Sequence, residues 1–336
     1  MLFFLILIFL GIGSPVFAQS SSSSLQSIPV AIPGGEGGIG FDDLVYSSEL
    51  HKVLVPAGHT GKLYLIDPAT FEMDNLGGFS SSAEFQKGHE VGISSADEGE
   101  GFIFAADHGR HQIVAIDVKT GAVAAAADLA GDADYVRYVG VNHELWATEP
   151  HDKRIEIFRF SPANRSIART TIMMFVNDGP ESLVIDPLRG RAYTNLGPLA
   201  AALDLSAHSV IIKWPNGCVK SRGDALDAQK GFLFVSCAEG KAVVFDLNHD
   251  YKEISSLATD PGPDVISYNA KLSHLYFTSS SNATLSVLKV SAFGQLSLLG
   301  QAVADKRSHC VVGDDQNNIW VCDPPRGQLL RFKDSL

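Results

Sequence analysis

The sequence has 336 residues, of which 45% are hydrophobic and 19% charged, proportions that are ordinary for a globular protein. Thirty-eight acidic residues against 26 basic ones give a formal net charge of −12. Because nucleic acid and anionic membranes attract basic surfaces, this charge argues against either as the main partner.

The chain begins with an apolar segment that predicts a secretory signal peptide over residues 1–18. Val16-Phe17-Ala18 fits the small-residue rule for cleavage after Ala18. An uncleaved membrane anchor is the alternative, because the segment contains no Lys or Arg. A Ser-rich spacer is expected over residues 19–27, and no later stretch is apolar and long enough to span a membrane.

Residues 28–336 are expected to form a single domain, because one structural unit recurs along nearly all of them. The unit is plainest in the fourth repeat, where Leu183-Val184-Ile185, Arg191–Thr194 and Ala201–Leu205 are short apolar runs separated by turn residues. Seven such units begin 41 to 48 residues apart. Their second strands are predicted at residues 52–55, 102–105, 144–147, 191–194, 232–235, 274–277 and 318–321. This period is typical of a β-propeller.

The seventh repeat supplies only three strands, whereas a propeller blade needs four. Ile28–Ile32 lies ahead of the first repeat and has no other blade to join. We therefore expect it to complete the last blade and to protect sheet edges that would otherwise be open. The predicted fold is an all-β, seven-bladed β-propeller closed by an N-terminal strand, and we expect a monomer.

Four cysteines fit an oxidising compartment. Cys310 and Cys322 bracket the first hairpin of the seventh repeat, and Cys218 and Cys237 bracket that of the fifth. A disulfide in each hairpin is the favoured interpretation. A zinc site is the weaker alternative, because no Cys-x-x-Cys spacing occurs.

The repeats resemble the YVTN-repeat, YncE-like family of secreted seven-bladed propellers. Leu63–Thr70, Gln112–Gly121 and Leu183–Tyr193 carry the resemblance, and the signature itself is reduced here to Tyr193-Thr194-Asn195. The resemblance covers residues 37–333 and implies a secreted or periplasmic propeller. It implies no particular activity, since this architecture hosts lactonases, lyases, electron-transfer enzymes and pure binders.

Polar residues recur where each first strand begins, which in a propeller lies near the central axis. Alignment of the repeats places one residue per blade there: Asp42, His89, Tyr135, Glu181, Arg222, Asp264 and His309. Arg137 follows closely in the third blade. His89, Glu181, His309, Asp42 and Asp264 are the candidate metal ligands, since imidazoles and carboxylates suit divalent ions. Arg222 and Arg137 are expected to orient an anionic ligand.

Loops between second and third strands are expected to reach the same face, and they add His59, Asp107, His108, Glu149, His151, Glu239 and Asp323. The other histidines are expected in turns or at strand ends away from this face: His51, His111, His143, His208, His249 and His274. The alternative to a binding site is a solvated funnel, because a channel mouth that opens to water must be polar.

Three functions remain open on the sequence. The first is a secreted or periplasmic propeller that binds a metal ion or a small anionic ligand at its central mouth. The second is a metal-dependent lyase or lactone hydrolase, in which His89, His309, Glu181, Arg222 and Arg137 are the catalytic candidates. The third is a protein-interaction platform without central chemistry. A divalent metal is the only cofactor implied, since haem-attachment and nucleotide-binding motifs are absent from the sequence.

Overall fold

The structure is a computed structural model that describes residues 25–85, 88–89 and 91–336. Within these ranges, 28 β-strands form seven four-stranded antiparallel sheets arranged in a ring, which confirms the predicted seven-bladed β-propeller. Two 3₁₀ turns, His108–Arg110 and Pro324–Arg326, are the helical segments of the described part. No helix there is long and apolar enough to cross a membrane. The expected signal peptide, and the spacer up to residue 24, lie outside the described residues.

Each of the first six blades runs from an inner first strand to an outer fourth strand in chain order. Blades one and two contain β2 (Val45–Ser47), β3 (Lys52–Pro56), β4 (Lys62–Ile66), β5 (Met73–Gly77), β6 (Ile93–Gly99), β7 (Phe102–Asp107), β8 (Gln112–Asp117) and β9 (Val123–Asp128). Blades three and four contain β10 (Tyr135–Val139), β11 (Glu144–Glu149), β12 (Arg154–Ser161), β13 (Ser166–Met174), β14 (Val184–Asp186), β15 (Arg191–Leu196), β16 (Leu199–Asp204) and β17 (Ser209–Pro215). Blades five and six contain β18 (Ser221–Asp227), β19 (Phe232–Cys237), β20 (Lys241–Asp246), β21 (Lys252–Ala258), β22 (Ser267–Asn269), β23 (His274–Ser279), β24 (Thr284–Val290) and β25 (Leu296–Val303).

The seventh blade joins the two ends of the domain, as predicted. It contains β26 (Val311–Gly313), β27 (Asn318–Asp323) and β28 (Gln328–Lys333), and β1 (Ile28–Ala31) adds its outer strand. Ile28 lies opposite Arg331, and Ala31 lies opposite Gln328 in this antiparallel pair. The closing strand therefore protects the edge of β28.

The second strand of each blade is the centre of the hydrophobic core. Its recurring aromatic residues are fully buried: Phe104, Trp146, Tyr193, Phe234, Tyr276 and Trp320. Phe104 stacks on Tyr138 of the next blade with ring centroids 4.9 Å apart, and Phe234 packs on Tyr268 of the next blade at 4.7 Å. These contacts confirm that the aromatic residues form core between blades, as the blade period predicts.

The aspartates that end several third strands have a structural role. Asp67 accepts hydrogen bonds from the backbone N–H groups of Ala69 and Thr70, which fixes the turn to the fourth strand. These backbone bonds lower the pKa of Asp67 to about 2. Asp117, Asp204 and Asp246 accept bonds from the residues that follow them in the same way. The repeated aspartate is therefore turn chemistry and contributes nothing to a central site.

The cysteines form the two predicted pairs. The Cα atoms of Cys218 and Cys237 lie 5.2 Å apart, and those of Cys310 and Cys322 lie 5.6 Å apart, both within disulfide range. Each pair joins the first segment of a blade to its second strand, and none of the four cysteines is free. The pairs are compatible with an extracellular or periplasmic location.

Candidate functional site

Short segments before the first strands bring polar residues to the axis of the ring. Neighbouring segments bond to one another through the backbone: the Asp43 N–H donates to Ser94 O at 3.3 Å, and the Asp264 N–H donates to His309 O at 3.2 Å. Close packing depends on glycine here, because a Cβ on Gly40 would lie 1.9 Å from the carbonyl oxygen of Gly88. The fold therefore holds the axial side chains at fixed positions.

These segments surround a central depression of about 520 Å³, which we call the axial cavity. Four of its carboxyl-bearing residues come from different blades: Asp42, Asp134, Glu181 and Asp264. Asp132, His89 and Arg222 also line it. Three further histidines approach it from nearby loops: His108, His111 and His151. Five of the seven residues that the sequence assigned to the mouth therefore meet in one cavity.

Negative charge dominates the axial cavity. Of the described residues that line it, five carry carboxyl groups, and Arg222 supplies the one guanidinium. Arg222 is already paired, because its Nη1 lies 2.8 Å from Glu181 Oε2 and 3.9 Å from Asp264 Oδ1. The remaining carboxyl groups attract a cation to this cavity.

Asp42, His89 and Asp134 form the tightest group of potential ligands in the cavity. One ligating atom from each lies within 4.8 Å of the other two. The Asp42 side chain is 5% exposed, and its Oδ2 has no hydrogen-bond partner among the described residues. A buried oxygen without a partner is costly, which a bound cation would relieve. We call these three residues the axial triad.

Both carboxyl groups of the axial triad have raised pKa values, because they are buried beside other carboxyl groups. Burial, and next the carboxyl groups of Asp264 and Asp43, raise the pKa of Asp42 well above its ordinary value. Burial and the neighbouring Asp42 raise the pKa of Asp134 in the same direction. Crowded carboxyl groups of this kind bind either a proton or a metal ion, since both remove their mutual repulsion.

Asp134 was missed by the alignment of repeats, which assigned Tyr135 to the third blade. Tyr135 is buried and does not line the axial cavity. The ladder of the third blade begins at Tyr135 itself, whereas that of the first blade begins three residues after Asp42. Asp134 directly precedes Tyr135 in the sequence. An alignment of this blade shifted by one residue would have placed Asp134 at the axis.

His108 is a buried histidine of the cavity whose ring nitrogens lack hydrogen-bond partners among the described residues. It is 8% exposed. Its ring lies edge-on to that of His89, with centroids 6.3 Å apart. Burial lowers the pKa of His108, which favours the neutral ring that can accept a proton or bind a metal.

His111 corrects an expectation from the sequence, which placed it away from this face. Its Nδ1 lies 2.9 Å from Asp132 Oδ1, and both residues line the axial cavity. The 3₁₀ turn at His108–Arg110 explains the difference, because it carries the chain back across the cavity mouth and leaves His111 in a left-handed conformation. His151 lines the cavity as expected.

Most of the other loop residues serve the structure instead. Asp107 caps the 3₁₀ turn, Glu149 pairs with Arg154, and Glu239 accepts bonds from the backbone N–H groups of Val219 and Lys220. Two further residues lie outside the axial cavity: Asp323, which pairs with Arg326, and His59, which packs against Phe85. Arg137 lies outside it too, because both its terminal nitrogens bond Asp43, at 2.7 and 3.2 Å.

His309 reaches the axis but is separated from the axial triad. Its Nδ1 lies 2.6 Å from the carbonyl oxygen of Arg307, and its Nε2 lies 2.9 Å from that of Phe41. A neutral imidazole carries one N–H, so one of these contacts is a donated hydrogen bond, and both ring nitrogens are turned toward carbonyl oxygens. His309 instead links the seventh blade to the first and lines a second cavity, of about 390 Å³, beside the axial cavity.

No protein-family model and no curated protein sequence matches the chain. Solved structures resemble it in fold. A chain of the mitotic checkpoint complex superposes with a TM-score of 0.74 at 11% identity, and the match covers 98% of each chain. A chain of hydrazine synthase from Kuenenia stuttgartiensis gives a TM-score of 0.71 at 8% identity, over 95% of this chain and 99% of that one. Identities this low establish the propeller fold alone.

Proposed function

We propose that the protein is a secreted or periplasmic propeller that binds a divalent metal ion in the axial cavity. The observation that carries this proposal is the axial triad, in which ligating atoms of Asp42, His89 and Asp134 lie within 4.8 Å of one another. The resemblance of the repeats to YncE-like propellers and the two cysteine pairs support the location.

The donor set favours a first-row divalent ion such as Zn²⁺ or Mn²⁺. One imidazole and two carboxylates combine a borderline nitrogen ligand with hard oxygen ligands, which both ions accept. Three protein ligands leave a coordination position open to water or to a ligand. His309 and Glu181, expected as ligands from the sequence, have other neighbours: both His309 ring nitrogens contact carbonyl oxygens, and Glu181 pairs with Arg222.

The test measures Zn²⁺ binding by calorimetry to protein that was first stripped with a chelator. The double variant Asp42→Asn with Asp134→Asn should lose at least a hundredfold in affinity, because the amides cannot supply anionic ligands. His89→Ala should also lose most of the affinity. His309→Ala is the matched control and should retain the ion. Stoichiometric Zn²⁺ in the double variant, or none in the unchanged protein, would disprove the site.

A second candidate function, a metal-dependent lyase or lactone hydrolase, is favoured by His108. A neutral, unpartnered imidazole beside a metal site is the arrangement of a general base. In the hydrolase, His108 takes a proton from water as its oxygen bonds to the lactone carbonyl carbon. The ring C–O bond then breaks, and His108 returns the proton to the leaving oxygen.

Turnover of a simple δ-lactone by Zn²⁺-loaded protein separates this enzyme from a binding protein. The hydrolase requires that a chelator abolish turnover and that His108→Ala abolish it while Zn²⁺ stays bound. The exposed His143 supplies the control, and His143→Ala should leave turnover unchanged. If neither Zn²⁺ binding nor turnover is found, the axial cavity is a solvated funnel and the interaction platform is the remaining function.

A further inference from the structure

The second cavity, beside the axial cavity, has a different character. It shares His89, Arg222 and Asp264 with the axial cavity, so the two are continuous at the axis. Its other walls include the side chains of Phe85, Pro263 and Pro324, together with Arg307 and His309. We call it the side cavity. An apolar wall with a few convergent polar groups is typical of a small-molecule site.

Formal charge changes sign between the two cavities. Among the residues that the structure describes, five carboxyl groups and one guanidinium line the axial cavity, whereas two guanidinium groups and one carboxyl group line the side cavity. Arg222 offsets Asp264 in both, and Arg307 therefore sets the sign of the side cavity. One end of the combined space attracts a cation, and the other attracts an anion.

Arg307 lines the side cavity and is exposed to solvent. Its side chain forms no hydrogen bond or ion pair with any described residue, in contrast to Arg222. Its φ angle of 73° is in the left-handed region, which residues other than glycine rarely adopt. Two contacts fix its backbone beside the side cavity: the Arg307 N–H donates to Ser280 O at 3.1 Å, and Arg307 O lies 2.6 Å from His309 Nδ1.

We propose that the side cavity binds a small aromatic carboxylate, whose ring packs on Phe85, Pro263 and Pro324 and whose carboxylate pairs with Arg307. Guanidinium and carboxylate groups form a two-bonded, charge-assisted pair. The volume of about 390 Å³ accommodates a single ring with short substituents. This inference deepens the proposed function and rests on it, since the metal ion neutralises the adjoining acidic cavity and keeps the anion from being repelled.

The experiment titrates 4-fluorobenzoate into Zn²⁺-loaded protein and follows binding by fluorine NMR. Arg307→Gln should weaken binding at least tenfold. Lys306→Gln removes the same charge from the neighbouring exposed residue and should change little, since Lys306 lies outside the side cavity. Neutral 4-fluorobenzamide should bind at least tenfold more weakly than the benzoate. Phe85→Ala should weaken the benzoate but not acetate, since acetate has no ring to pack.

Equal effects of Arg307→Gln and Lys306→Gln, or equal binding of the amide and the acid, would overturn the inference. Zn²⁺ affinity is measured in the same variants, and Arg307→Gln should preserve it. If the axial triad binds Zn²⁺ and the benzoate does not bind, the aromatic carboxylate site is wrong and the metal site stands. If Zn²⁺ does not bind but Arg307 still governs benzoate affinity, the proposed function is wrong and the anion site stands.

Discussion

The carboxyl groups of Asp42 and Asp134 determine how metal binding responds to pH. Both pKa values are raised, so protons compete with the metal at a higher pH than at ordinary aspartates, whose pKa is about 3.9. Zn²⁺ affinity should therefore fall on acidification, and the fall should begin at a higher pH than ordinary aspartates would give. Asp264 contributes to both shifts, so Asp264→Asn should move this fall to lower pH. Calorimetry over a series of pH values checks both outcomes, and an unmoved midpoint in Asp264→Asn would exclude carboxyl control.

Substitutions at two glycines distinguish the free-energy cost of a left-handed backbone from the cost of a steric clash. Gly92 has a φ angle of 88°, and a Cβ there would lie 1.8 Å from the carbonyl oxygen of Gly58. Gly101 has a similar φ angle of 78°, but nothing lies within 4 Å of its Cβ position. Gly101→Ala should cost roughly 1–2 kcal/mol of unfolding free energy from the left-handed conformation alone. Gly92→Ala should cost clearly more, because the first two blades must separate. Urea unfolding of both variants measures the difference, and equal costs would contradict it.

For the candidate site, the sequence predicted which residues line the axial cavity better than it predicted the partners of their side chains. Asp42, His89, Glu181, Arg222 and Asp264 line the axial cavity because their place before a first strand determines their distance from the axis. Their partners were not predictable, since the pairing of Glu181 with Arg222 depends on side chains from two blades. Nor were the contacts of both His309 ring nitrogens, which depend on carbonyl oxygens that the sequence does not locate.

The disulfide pairs stabilise individual hairpins. The loops between the paired cysteines span 12 and 19 residues, so a chain-entropy estimate gives roughly 3 kcal/mol for each. Replacement of Cys310 and Cys322 by Ser should therefore lower the unfolding free energy by about that amount. Denaturant unfolding measures the loss. Intact-mass analysis after alkylation without reductant should add no label to the unchanged protein, and labelled thiols would disprove the pairs.

The closing strand β1 completes the seventh sheet, and its removal exposes β28. A chain without residues 25–33 should have a markedly lower melting temperature and should self-associate, since an unpaired strand edge recruits other chains. The loss also includes the hydrogen bond that Tyr64 donates to Pro33 O at 2.6 Å. Thermal unfolding and light scattering provide the measurements. A chain that lacks only residues 19–24 is the control, and an unchanged melting temperature in the first variant would contradict closure.

The sequence predicted the bounds of the second strands to within a few residues, but it placed the starts of several first strands too early. The second strands are buried on both faces and read as continuous apolar runs, which makes their bounds visible. At the entry to several blades the backbone is extended, but its hydrogen bonds to neighbouring segments do not form a regular β-ladder. The first strand therefore begins later than the sequence suggests. In the fourth blade it begins at Val184, three residues after Glu181, where the sequence placed the start of the strand.

Across the whole molecule, buried carboxyl groups should make the metal-free protein less stable in mild alkali. Burial raises the pKa of Asp224 to about 7, and burial together with Glu156 raises that of Glu149 to about 8. Burial and Glu49 raise the pKa of Glu98 to about 7. Because the folded state binds these protons more tightly than the unfolded state, stability is lost as pH rises through 7 to 8.

The melting temperature in the presence of a chelator should therefore be lower at pH 8.5 than at pH 6.5. Asp224→Asn removes one of the ionising groups and should reduce the difference between the two temperatures. His59 and His108 have lowered pKa values and act in the opposite direction, but at pH below about 6.5. Differential scanning fluorimetry provides the measurement, and a melting temperature that rises between pH 6.5 and 8.5 would contradict the prediction.

Because Ile28 pairs with Arg331, closure of the ring depends on how far synthesis of the chain has advanced. A ribosome must add 303 residues after Ile28 before the partner of that strand exists. Until then the ring cannot close, and each nascent chain carries an open edge at both of its outermost blades. A product of premature termination retains these open edges permanently. Ring closure can therefore occur only after translation has passed Arg331.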